Sequence, residues 1–241
     1  MKTRRLPEID LAKFAVIDDQ EHLEGSLRAF NTGGGSWSYG PSRQLIPDIL
    51  AARLPLVGDL SAPSWEIISA EILRRCTRGE VQEQSNLEVS DLLYKYCGTE
   101  KWRSAKIDMH ALPIGFGDSV RYWSDVVIQD DNGLFIPFFD HRRTKGLKGI
   151  QENRFVFSMQ NFWIRERFLD LRSARLAVIS FPTARKMRGL SIQFGKEEEL
   201  MSYDELDSRV RRVYEAWAKV SEERTTKRRE TGTDGPTPFG F

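Results

Sequence analysis

Two aspartates and an arginine are the residues of this sequence best placed to do chemistry. Asp125 stands beside the apolar run Val126-Val127-Ile128, and Asp140 ends a second run, Phe138-Phe139-Asp140, with Arg142 two positions beyond it. Between the runs lies Asp131-Asn132-Gly133, a strong short signal for a β-hairpin. Antiparallel neighbours lie about 5 Å apart, so closing this hairpin carries both carboxylates to one end of a sheet. Strand alternation places Arg142 on the same face as Asp140. Two carboxylates at strand ends suit a hard divalent cation, Mg²⁺ or Mn²⁺. A guanidinium beside them would steady charge growing on a phosphate. The non-catalytic alternatives are a strand ion pair between Asp125 and Arg121, and a surface ion pair of Asp140 with Arg142.

The elements that must hold these residues begin near Pro63. Ser64 is a plausible N-cap for the helix Ser64-Trp65-Glu66-Ile67-Ile68, in which Trp65, Ile68, Ile72 and Cys76 recur at helical spacing. A second helix is expected from Asn86 to Cys97, stopped by Gly98. The hairpin follows, and then a helix with Phe155, Met159, Phe162 and Trp163 on one side. Arg175 to Pro182 and Gly189 to Phe194 read as strands, and Tyr203 to Val220 as an amphipathic helix carrying Val210, Val213, Tyr214 and Trp217. The pattern predicts an α/β or α+β layer structure, a mixed central sheet flanked by helices. Residues 1–62, broken by Gly33-Gly34-Gly35, Gly40-Pro41, Pro47 and Pro55, are expected to form an irregular N-terminal arm. The core would span 63–220, and 221–241 would be a mobile C-terminal tail.

Hairpin, acidic pair and helix order together resemble the PD-(D/E)XK nuclease superfamily over roughly residues 64–195. The resemblance implies a restriction-endonuclease-like core and Mg²⁺-dependent hydrolysis of phosphodiester bonds, DNA more than RNA. By residue-wise carry-over, Asp125 and Asp140 are the metal-binding acids and Arg142 stands where that family has lysine. A guanidinium stays charged, so it would stabilise charge and not accept a proton. Glu66 or Glu71 on the preceding helix would complete the metal shell, and Gln160 would match a glutamine on the following helix. The alternative is a catalytically inactive relative that binds nucleic acid or a protein within a larger assembly.

Basic residues flank the candidate site. Arg143, Lys145 and Lys148 follow Asp140 directly, and Arg185, Lys186 and Arg188 sit between two predicted strands; both sets would suit a phosphate backbone. Each is equally readable as a solvated loop. His141 alternates to the face opposite Asp140, and with His22 and His110 distant in sequence a histidine metal cluster has no support. The Gly33-Gly34-Gly35 loop lacks the Gly-Lys-Ser/Thr that a phosphate loop needs.

Composition bounds the reading. Lys and Arg total 36 against 35 Asp and Glu, a net +1, so bulk charge does not hold this chain to nucleic acid. Selection of a target would therefore fall to a protein partner or a homo-oligomer. Two cysteines make neither a disulfide framework nor a four-thiolate metal site, and no stretch approaches the 18 apolar residues of a membrane span. A cytoplasmic setting without membrane contact is the expectation.

Overall fold

The computed structural model describes residues 5–30, 38–52, 63–107, 112–113, 119–120, 125–143, 146–184 and 187–230. Among these, helices α1 (Glu8–Ala15), α2 (Gln20–Ala29), α3 (Gly40–Gln44), α4 (Ile46–Ile49), α5 (Trp65–Arg75) and α6 (Glu80–Thr99) precede the main sheet. Strands β1 (Arg103–Lys106), β2 (Leu112–Pro113), β3 (Ser119–Val120), β4 (Val126–Asp130) and β5 (Gly133–Asp140) follow. Helix α7 (Ile150–Gln160) crosses to β6 (Arg175–Ser180). Then come β7 (Thr183–Ala184), β8 (Met187–Arg188), β9 (Ser191–Phe194) and the long helix α8 (Tyr203–Glu230).

The architecture is mixed α/β. Five strands form one sheet in the order β1-β4-β5-β6-β9, with β5 and β6 parallel and the other neighbours antiparallel. The expected hairpin is present, pairing Ile128 with Phe135 and Asp130 with Gly133. Gly133 has φ +108°, a backbone conformation that a side chain would strain. The pairing ends at Ile128↔Phe135, two positions short of Pro137, which has no N–H to extend it.

Both faces of the sheet are buried, which is why β4, β5 and β6 read as apolar runs and not as alternating strands. Val127, Ile136, Phe138, Leu176 and Val178 face a layer made by α1, α2, α7 and α8. Val126, Ile128, Phe135, Phe139, Ala177 and Ile179 face the other layer, made by α3 to α6.

The N-terminal region differs from the irregular arm expected. Residues 8–15 and 20–29 are regular helices, and Leu6, Ile9, Leu11, Phe14, Leu23 and Leu27 join the same apolar cluster as α8. Arginines on α8 hold them there. Arg212 donates to the carbonyls of Ile17 and Asp18, Arg209 to that of Ala15, and Arg224 to those of Leu27, Arg28 and Phe30. The carbonyls of Ala15, Leu27, Arg28 and Phe30 end α1 and α2, where a helix leaves acceptors unsatisfied and favours positive charge, and those of Ile17 and Asp18 belong to the link between the two helices. The C-terminal region differs as well, because α8 runs through 221–230 where a mobile tail was expected; 231–241 lie outside the described residues. Gly98 does not stop α6, which continues to Thr99. After α7 the helix widens into a π-turn at Asn161–Arg165.

Candidate functional site

The end of β5 is where the sequence concentrates its chemistry, and the structure places a buried charged network there. Asp140 is 2% exposed. Its Oδ1 accepts the N–H of Arg142 at 3.1 Å and its Oδ2 that of Leu147 at 2.6 Å. The carboxylate thus closes the loop after β5 around itself, and Gly146 passes so close that a Cβ there would lie 2.3 Å from Oδ2. Burial pushes the Asp140 carboxyl above the ordinary 3.8, partly offset by those two N–H groups and by the charges of Arg142 and Arg43.

Arg142 turns its guanidinium to α1, with Nη1 and Nη2 each 2.6 Å from an oxygen of Asp10. Burial works against its charge, but Asp10 outweighs it and holds the group above its ordinary value. Arg43 on α3 is half-buried, and desolvation draws its pKa down against the fields of Glu8, Asp140 and Asp10. Asp10, Arg142 and Asp140 thus tie α1 to the end of β5, with Arg43 of α3 and Glu8 of α1 within their electrostatic field.

His141 occupies the opposite side of the strand, as alternation requires. Its ring stacks on Phe181 at 5.4 Å and lies near Phe139 and Tyr39. Complete burial, with Arg43 and Arg188 adding positive charge, drives its pKa well below 6.5. Arg188 is buried, donates to the His141 carbonyl at 3.0 Å, and lies over the Tyr39 ring with Glu88 3.7 Å away.

The structure brings Asp140 and Arg142 together and distributes the remaining sequence candidates elsewhere. Asp125 is half-buried just before β4, where its carbonyl accepts the N–H of Ile107. Glu66 and Glu71 lie on α5, a helix of the layer on the other side of the sheet from α1. Glu66 is exposed and lowered by a bond from Ser64. Glu71 is held to about 2 by Arg74 and Arg75, each 2.7 Å away. Gln160 is fully buried under the sheet, its Nε2 donating to the carbonyls of Ile136 on β5 and Ala177 on β6. Of the basic candidates, Arg143 and Lys148 are exposed and Arg188 is buried. Lys145, Arg185 and Lys186 lie outside the described residues, as does Arg121. Among the described residues, no group of three or more His, Cys, Asp or Glu side chains gathers where the expected Mg²⁺ or Mn²⁺ would sit. No helix among them is long and apolar enough to cross a membrane.

Reasoning from the sequence overlooked Glu8, Asp10 and Arg43. Two acids interleaved with apolar residues in Glu8-Ile9-Asp10-Leu11 were the available signal, since a buried carboxylate demands a partner.

Comparison with known proteins redirects the functional reading. The family model described as the sliding clamp-binding bacterial toxin SocB matches residues 9–227. The chain is 33% identical over 236 residues to the DNA replication inhibitor toxin SocB of Caulobacter vibrioides (strain NA1000 / CB15N), covering 98% of each chain. No solved structure matches.

These matches overturn the nuclease resemblance, and with it phosphodiester hydrolysis and nucleic acid as the partner. The physical reason the resemblance misled is that an acid at a strand end with a cation two places on also describes a structural loop anchor, the role its geometry gives Asp140 here. Of the two readings of the sequence, action by binding a protein agrees better with the comparisons than hydrolysis does. A family match over residues 9–227, with a relative aligned along nearly all of both chains, leads to one assignment: this chain belongs to the SocB family of sliding clamp-binding bacterial toxins.

Proposed function

We propose that this chain is a toxin that binds the DNA sliding clamp in the bacterial cytoplasm and inhibits DNA replication by occupying it. The observation that carries this reading is the 33% identity along 98% of both chains to a DNA replication inhibitor toxin. The geometry at the end of β5 supports a rigid binding scaffold: Asp140, Arg142 and Asp10 engage one another and the backbone in the interior.

Inhibition by occupancy is stoichiometric. Purified clamp passed over the immobilised chain is retained, and induction of the chain in cells stops DNA synthesis. Raising the clamp concentration restores synthesis in proportion, because each extra clamp titrates one toxin molecule. A chain that halts replication without retaining clamp, or whose effect is untouched by excess clamp, refutes the proposal.

A further inference from the structure

The main sheet ends in two edge strands, β1 and β9, and they are finished differently. On β1 the exposed cations Arg103 and Lys106 stand at the two ends, and the hydroxyl of Ser104 donates to the carbonyl of Leu50. Charge and cover of this kind keep an edge from pairing with another chain. Strand β9 has neither. From Leu190 to Gly195 the sequence is Leu-Ser-Ile-Gln-Phe-Gly, without a charge or a proline. Among the described residues no element runs along its outer side.

The register fixes which groups this edge offers. Gly195 donates its N–H to the carbonyl of Leu176 at 2.9 Å, and Gln193 and Ser191 lie opposite Val178 and Ser180 in the same ladder. These three residues therefore direct their N–H and C=O groups at β6, and alternation turns those of Ile192 and Phe194 outward. Among the described residues nothing bonds the outward groups. The same strand of a second copy is their complement. A two-fold axis perpendicular to the sheet, beside Gln193, sets Gln193 opposite itself and Ile192 opposite Phe194 on both sides of the axis. In that register Ile192 and Phe194 exchange both of their N–H···O=C bonds, twice over, and every outward group finds a partner. Each such pair also joins two apolar side chains on one face of the sheet. Ile192 packs there against the α3–α6 layer, and Phe194, 37% exposed, rests on Phe135 beneath the Arg175 guanidinium. The pairing repeats on both sides of the axis, as an isologous interface requires.

We infer that β9 is a self-association edge through which two copies of this chain pair antiparallel about Gln193 and join their main sheets into one. A second copy is the occupant that the edge itself specifies, because the same residues supply both sides of every hydrogen-bonded and every apolar pair. Two strands of this length bury less than the roughly 1,200–2,000 Å² of a standard stable interface, so the dimer is weak and concentration-dependent.

The test is sedimentation of the full chain across a concentration series, with circular dichroism to verify folding. The wild type moves from monomer to dimer. Ile192→Pro deletes an N–H that points away from β6, a position where an edge strand tolerates proline. It leaves the chain folded and shifts the dimerisation midpoint at least about tenfold upward. Gln193→Lys and Gln193→Glu each set like charges opposite one another and weaken the dimer to a similar extent, whereas an equal mixture of the two pairs again. That rescue on mixing is a result that damage to the single chain would not give. In a Cys76→Ser/Cys97→Ser background, Gln193→Cys crosslinks to itself on oxidation, since directly opposed residues of this kind have Cα atoms about 4.5 Å apart. A wild type that stays monomeric at every concentration overturns the proposal. So does an undiminished dimer in folded Ile192→Pro, or a mixture of Gln193→Lys and Gln193→Glu that fails to associate. If the chain is monomeric throughout and folded Ile192→Pro loses retention of the clamp, the edge belongs to the clamp and the proposal fails. None of these readouts but the last involves the clamp, so the proposal stands or falls independently of the toxin reading.

Discussion

Replacing Gly146 by alanine tests whether Asp140 anchors the loop after β5. An ideal Cβ at position 146 would lie 2.3 Å from Oδ2, 3.0 Å from Cγ and 3.2 Å from Oδ1 of Asp140. Ordinary contact starts at 3.4 Å, so the groups must part by 3.4 − 2.3, about 1.1 Å. Asp140 has little room to yield, being 2% exposed at a strand end and fixed by two backbone N–H groups. The loop moves instead, and a shift of this size breaks the 2.6 Å bond from Leu147. A hydrogen bond to a charged group contributes about 1.5–3 kcal/mol, and a buried carboxylate left short of donors adds to the loss. Alanine for glycine would otherwise stabilise by about 0.4–1 kcal/mol through the unfolded chain, which is too little to reverse the sign. The expected net loss is about 2–4 kcal/mol, or roughly 4–16 °C in the melting midpoint for a chain of this size. Equilibrium denaturation of Gly146→Ala, Asp140→Ala and the double variant reads it. In the Asp140→Ala background the oxygens are gone and Gly146→Ala becomes nearly neutral, giving a coupling of about 2 kcal/mol or more. An equal penalty in both backgrounds would falsify the anchor.

Three further perturbations follow from the same geometry. Arg142→Met strands the buried Asp10 carboxylate and is expected to lower stability by about 3–5 kcal/mol, with most recovered in Asp10→Asn/Arg142→Met; a double variant as unstable as Arg142→Met would sink the pairing. His141 is buried neutral, so between its depressed folded value and 6.5 the unfolded chain binds a proton that the folded chain refuses. Its contribution is therefore present above 6.5 and lost as pH falls below it. Asp140, raised above 3.8, acts with the opposite sign at lower pH, favouring the folded state as pH falls. Denaturation midpoints from about pH 8 to about pH 5 should decline in the wild type and flatten in His141→Phe, which keeps the stack on Phe181; identical slopes would refute the assignment to His141. Arg224→Ala removes the donor to the end of α2 and the cation over the Trp217 ring, and is expected to cost about 1–2 kcal/mol. Amide hydrogen exchange should accelerate in residues 20–30 first, and a uniform increase along the chain would argue against the cap.

Legibility from sequence followed locality. The β4–β5 hairpin was readable because Asp131-Asn132-Gly133 and the apolar runs around it are neighbours. Helix α8 was readable because its apolar stripe repeats at helical spacing. Helix α1 was not, since Glu8 and Asp10 are buried on it and break the amphipathic pattern. Their burial makes sense only beside Arg142, 132 positions later. Arg209, Arg212 and Arg224 likewise read as a solvated face until their acceptors, almost 200 positions upstream, are known. The acid-x-cation pattern at Asp140 and Arg142 was visible, but pattern alone does not separate a metal ligand from a loop anchor. What decides it is where the lone pairs point, and here they point at the backbone N–H groups of Arg142 and Leu147.

The grip of α8 on α2, exemplified by Glu223 and Arg28 at a separation of 195 positions, has a bearing on biosynthesis. At about 5–20 residues per second, roughly 10–40 s pass between translation of one partner and the other. Throughout that interval Leu23, Leu27 and Phe14 await the apolar side of a helix still to be made. A message cut short before codon 203 would leave the apolar layer of α1, α2 and α7 without the helix that covers it, and so open to proteases on that face.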